Sequence, residues 1–121
     1  MSPKSSKKEE PTPSLDLAKR LAVMLAEKKG GRIVIFDLRT ISPITDYFVI
    51  ADGLSVVHNR TLAEHLIGCE KPDHIEGLDS GSWVLLDYID VVVHIFLSET
   101  RTFYGLERLW GDAPHIAIEN D

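Results

Sequence analysis

Cysteine is almost missing from this chain: Cys69 is the single thiol among 121 residues. One thiol cannot build a disulfide framework, so a reducing cytosol is the expected home. Acids surround Cys69 in the sequence and no base partner is evident, which makes it a poor nucleophile. Long apolar runs are missing too. None reaches the roughly 20 residues of a membrane span, and the charged N-terminus lacks the apolar stretch of a secretory signal. Positive charge is short, with 13 Lys and Arg against 19 Asp and Glu and a net charge of −6. The deficit is concentrated between residues 70 and 99, where Glu70, Asp73, Glu76, Asp79, Asp87, Asp90 and Glu99 face only Lys71. Such a stretch repels phosphate, so little direct nucleic-acid contact is expected there, and a basic protein is the fitting partner.

Metal and catalytic signatures are equally scarce. His58 and His65 lie seven apart on one expected helix, while His74, His94 and His115 are scattered. No H-E-x-x-H and no paired Cys–His spacing occurs, so the histidines read as surface or packed residues and no cofactor or metal is expected. Gly53-Leu54-Ser55 sits at a strand-to-helix turn, but G-x-S without a following x-G is not a nucleophile elbow. Nor does any D-x-D pair exist to hold magnesium, and no basic cluster awaits a triphosphate. An enzyme is not expected.

What the chain does have is a clear order of elements. Residues 1–13 are polar and read as a disordered tail. Ser14 reads as the cap of a helix whose Leu15, Ala18, Leu21, Ala22 and Leu25 share one face, ended by Gly30-Gly31. Strands follow at 32–38 and 46–52, rich in β-branched and aromatic residues. Ser55 caps a second helix to about Ile67, with Val57, Thr61 or Leu62, and His65 or Leu66 as its apolar stripe. A short strand at 74–76, a turn and two strands come next, then a helix from about Glu99 to Trp110 with Phe103, Leu106, Leu109 and Trp110 on one side. Residues 111–121 read as an acidic tail. The sum is one domain over 14–110, an α+β fold with a mixed β-sheet flanked by helices.

The hairpin at 83–97 carries the most information. With Ile89-Asp90 as its loop, Tyr88 pairs with Val91, Leu86 with Val93 and Val84 with Ile95, a wholly apolar core face. The opposite face pairs Asp87 with Val92, Leu85 with His94 and Trp83 with Phe96. An acid, a histidine and two large aromatics on one strand face fit neither plain core nor plain surface. A tight primed turn prefers Gly or Asn to Ile89.

Three segments, DYFVIADGLS, the H-x-R-x-L-A-E that follows, and IEGLDSGSWVLLDYIDVVVHIFLSETRTFYGLERLWGDAP, resemble the ribosomal silencing factor family of RsfS/Iojap type over roughly residues 14–114. The resemblance implies a nucleotidyltransferase-like fold lacking the catalytic acids. It also implies binding to the large ribosomal subunit through its protein numbered fourteen (L-fourteen), blocking association with the small subunit, in the cytoplasm. Carried over by motif, the binding positions are Trp83, Asp87, Asp90 and His94, and Phe96 joins them by hairpin geometry. Where the family has a small Gly, this chain has Ile89, so a wider hairpin tip is expected. The second helix is expected to be shorter than usual, stopping at Gly68. Two other readings stand beside this one: a degenerate nucleotidyltransferase-like nucleotide-binding protein, and a homodimer formed when free through the aromatic hairpin face.

Overall fold

A computed structural model of the chain describes residues 12–104, 108 and 113–118. The first helix, α1 (Pro13–Glu27), starts one residue before the expected 14–110 domain. Thr12, not Ser14, is its cap, accepting the Leu15 N–H at 3.1 Å, with Pro13 at the first helical position. Proline suits that place because its missing N–H would have no partner there anyway. Ser14 is freed for a longer-range task and donates to Asp46 Oδ2 at 2.9 Å. The end of α1 also differs from expectation. Lys29, at φ 70°, takes the left-handed position, and Gly30 N–H reaches back to Leu25 O at 2.8 Å. Gly30-Gly31 therefore follows the turn and does not make it.

Strand β1 (Gly31–Asp37) pairs antiparallel with β2 (Tyr47–Gly53), with a bulge between Gly31 and Val34. Helix α2 (Val56–Cys69) is capped by Ser55 as expected, and runs two residues beyond Ile67, through Gly68. Its buried residues are Asn59, Leu62, Ala63 and Leu66. Val57, expected in the apolar stripe, instead lies 64% exposed. Then come β3 (His74–Glu76), β4 (Trp83–Asp87), β5 (Val91–Leu97) and helix α3 (Ser98–Tyr104). The expected apolar side of the last helix, Phe103 to Trp110, falls outside the described side chains.

Residues 115–118 are not tail. They form β6 (His115–Ile118), antiparallel to β1 with Ile116 opposite Ile35 and Ile118 opposite Ile33. Pro114, which has no N–H to offer, contributes its carbonyl to Asp37 N–H at 2.8 Å just outside the strand.

The six strands run β3-β4-β5-β2-β1-β6, and only β2 and β5 are parallel. Parallel neighbours need a crossover, and α2 lies within it. Period-two alternation then gives the sheet two different faces. One carries Ile33, Ile35, Tyr47, Val49, Ala51, Val84, Leu86, Val91, Val93 and Ile95 against Ala18, Leu21, Ala22 and Leu25 of α1 and Leu62, Ala63 and Leu66 of α2. The other carries a smaller cluster of Phe36, Leu38, Ile50, Phe96 and Ala113, with Val34, Phe48 and Trp83 partly buried against it.

Candidate functional site: the second face of the sheet

The hairpin register is the one the alternation requires: Trp83 faces Phe96, Leu85 faces His94 and Asp87 faces Val92. The tip is not widened by Ile89. Tyr88 N–H donates to Val91 O at 2.8 Å across a two-residue loop, and Asp90 N–H closes onto Tyr88 O at 2.9 Å. Ile89 itself takes φ 74°, a conformation costly for a β-branched side chain. Two contacts offset that cost. Asp87 Oδ1 accepts the Ile89 N–H at 2.7 Å, and the Asp90 carbonyl accepts from Asp46 N at 2.9 Å and Tyr47 N at 3.1 Å, pinning the tip to β2. On the other side of the hairpin, Gly77 at φ 79° lets the preceding turn pass under Trp83. A Cβ there would lie 2.0 Å from the Trp83 carbonyl.

Trp83 is half-buried, and its indole Nε1–H donates to His94 Nδ1 at 3.1 Å. That bond requires the His94 proton on Nε2, which has no hydrogen-bond partner among the described residues. His94 is 5% exposed. Its ring stacks parallel to Phe96, 6.0 Å between centroids and 6° between planes, and Phe48 meets it edge-on at 4.6 Å. Trp83 lies over Phe96 with centroids 4.9 Å apart. Burial pushes the His94 pKa down to about 4, so the neutral, hydrogen-bond-accepting ring prevails at neutral pH.

Of the five expected binding residues, three are thus in mutual contact: Trp83, His94 and Phe96. Phe96 faces the expected side of the sheet but is 0% exposed, because it belongs to the second cluster beneath Trp83. It supports the surface and is not part of it. His94 is almost as deeply covered. Asp87 lies half-buried four residues along β4 from Trp83, roughly 13 Å away at strand spacing, and Asp90 is exposed at the tip. Leu85, Val92 and Phe48, each half-buried, fill out the surface between them, and exposed Glu76 is the ladder partner of Leu85. The result is an aliphatic and aromatic pad with an acidic margin.

Sequence reasoning missed Phe48 and a buried charge cluster at the far end of this face. Phe48 reaches His94 only through the parallel β2–β5 pairing, which no local pattern announces. Asp52 is 5% exposed, and its Oδ2 accepts from Arg32 Nε at 2.6 Å and Arg101 Nη1 at 3.3 Å. Arg101 is 2% exposed, so α3 is tied to the sheet by a buried ion pair. Ser55 Oγ accepts His58 N–H at 3.0 Å, and His58 bridges Leu54 N–H and Lys28 O, both at 2.9 Å. Among the described residues, no group of three His, Cys, Asp or Glu is placed to hold a metal, and no helix is long and apolar enough to cross a membrane. Cys69 is exposed at the end of α2, beside an open groove of about 630 Å³ that Val23 and Met24 also line, away from the hairpin face.

The fold and this face define a class: a small α+β domain with a mixed sheet, α1 and α2 on one side and an aromatic pad on the other. Comparison with known proteins narrows it. A family described as "Ribosomal silencing factor during starvation" (RsfS) matches residues 11–121. The ribosomal silencing factor RsfS of Halalkalibacterium halodurans is 38% identical over 98 residues, covering 77% of this chain and 84% of the relative. Mouse "mitochondrial assembly of ribosomal large subunit protein 1" is 32% identical over 74% of this chain, which spans 43% of that longer protein. A crystal structure of a Chromobacterium violaceum protein superposes with a TM-score of 0.73 at 31% identity, covering 87% of this chain and 93% of that one. This chain belongs to the RsfS family of ribosomal silencing factors.

Proposed function

We propose that the chain is a non-catalytic translational repressor that docks on the large ribosomal subunit, through its protein numbered fourteen (L-fourteen), and keeps the small subunit from joining by its bulk. Family membership supports the silencing role, and the name of the mouse relative supports the large subunit as the place of action. One observation carries the choice of surface. Trp83 stands half-buried on the pad of Leu85, Val92 and Phe48, with Glu76, Asp87 and Asp90 at the margin of the pad. Large aromatic anchors ringed by charge recur at binding hot spots, and acids suit a basic ribosomal protein. In this reading the protein acts in the cytoplasm, and any self-association of the free form uses the same pad.

The parallel β2–β5 pair, with Gly53-Leu54-Ser55 opening α2, supports kinship with the nucleotidyltransferase fold. Phosphate chemistry is lost in this reading. D-x-D is absent, the Ser55 hydroxyl is engaged by the helix it caps, and Asp52 is neutralised by arginines.

Sedimentation through sucrose gradients with separated subunits tests the proposal. The protein is expected to travel with large subunits only, and to lower the fraction of joined ribosomes when small subunits are added. Raising salt should slow the association. Co-sedimentation with small subunits, or undiminished joining, contradicts it.

A further inference from the structure

We infer that His94 is a positioning residue, which fixes the Trp83 indole on the sheet and takes up its N–H so that the anchor offered to a partner is purely apolar. The inference rests on the docking reading above and specifies what the docked partner must look like.

An indole has a single polar hydrogen, and here it points at His94 Nδ1, 3.1 Å away. His94 is covered too well to reach a partner, being 5% exposed between Phe96 and Phe48. Its ring cannot swing, because one side is stacked on Phe96 and another abuts Phe48. A partly exposed tryptophan with no fixed partner samples rotamers, and freezing a side chain on association costs binding. Bonding to a buried, immobile ring removes that freedom in advance. The bond also closes one mode of recognition: a carbonyl or carboxylate on the partner finds no free indole donor. The complementary site is therefore an apolar slot, of aliphatic, methionine or proline side chains, with basic groups around it for Asp87, Asp90 and Glu76. A neutral His94 is required, since a proton on Nδ1 would set donor against donor, and burial keeps the ring neutral.

Three variants and purified large ribosomal subunits test this. His94→Phe keeps a stacking ring and removes the acceptor, His94→Gln keeps an acceptor, and Trp83→Ala removes the anchor. His94→Phe is expected to bind about tenfold more weakly and to lose tryptophan fine structure in near-ultraviolet circular dichroism. His94→Gln should stay within about threefold of wild type. Equal binding by His94→Phe and wild type, or equal losses in the Phe and Gln variants, would overturn the inference. A silent Trp83→Ala would instead overturn the docking reading. A measurement on the wild-type chain judges the clamp even if His94→Phe does not fold. The Trp83 indole N–H, distinguished from that of Trp110 by Trp110→Phe, should exchange with solvent at least about a hundredfold more slowly than free indole. Exchange at the free rate excludes the hydrogen bond.

Discussion

On the helix-covered face, β2, β4 and β5 place Tyr47, Val49, Ala51, Val84, Leu86, Val91, Val93 and Ile95, none more than 2% exposed. On the other face the same strands place Phe48, Ile50, Asp52, Trp83, Leu85, Asp87, Val92, His94 and Phe96. The first set is held by hydrocarbon contact and tolerates changes that keep volume. The second mixes aromatics with polar atoms, several of them bonded to directed partners: Asp52 to Arg32 and Arg101, Trp83 to His94, Asp87 to the Ile89 N–H. A surface built this way is rigid without being closed. One face makes the fold, and the other gives it a shaped, half-exposed pad.

The largest effect that separates the faces concerns Asp52. Asp52→Ala removes the buried carboxylate that Arg101 and Arg32 bond to, and is expected to lower stability by about 4 kcal/mol in urea unfolding. A change below about 1 kcal/mol would mean that the second face is ordinary surface at that end. Leu86→Ala probes the first face. Removing a fully buried side chain between sheet and helices should cost about 3 kcal/mol of stability, while the folded fraction still binds large subunits normally.

Acid sharpens the contrast, because only the second face holds a buried histidine. Folded His94 takes up a proton at about 4, against 6.5 for the ordinary residue. Between those values the unfolded chain binds more protons, so stability falls as pH drops below about 6.5 and the loss levels off below about 4. At pH 5 the His94 share is about 2 kcal/mol. His94→Phe should remove that share of the acid dependence, and an unchanged dependence would contradict the burial of the ring. The smallest effect is at the tip. Ile89→Gly relieves a positive φ and should stabilise the hairpin by about 1 kcal/mol without altering binding. A loss of binding would place Ile89 in the interface.

How much of this was legible in the sequence follows the same division. The hairpin register was readable because alternation over WVLLDY and VVVHIFL admits one pairing that keeps a whole apolar face together. Ala18, Leu21, Ala22 and Leu25 were readable from helical spacing. Alternation gives the side of a strand, however, and not what covers that side. Phe96 stands on the expected face, among the expected binding positions, yet it is fully buried. Strand β6 was missed because four residues behind a proline and among acids carry too short a pattern, and its stabilisation comes from β1, some eighty residues earlier in the chain. The Lys29 turn was hidden by the adjacent Gly30-Gly31, a stronger signal that the chain does not use. Asp52 and Arg101 are 49 residues apart, and no local rule connects them. The outline of the pad was therefore legible, whereas its inner supports were not.

The central claim is that Trp83 belongs to a docking surface and not to the core, and one substitution decides it most directly. Trp83→Ala should be carried through thermal melting and through binding to purified large subunits on the same preparation. The account predicts a binding loss of roughly 2–4 kcal/mol, or about 30- to 1000-fold, with a much smaller loss of stability, since the helix-covered face stays packed. A variant that melts far earlier, by the roughly 3–5 kcal/mol of a lost core aromatic, yet binds normally when folded would contradict it.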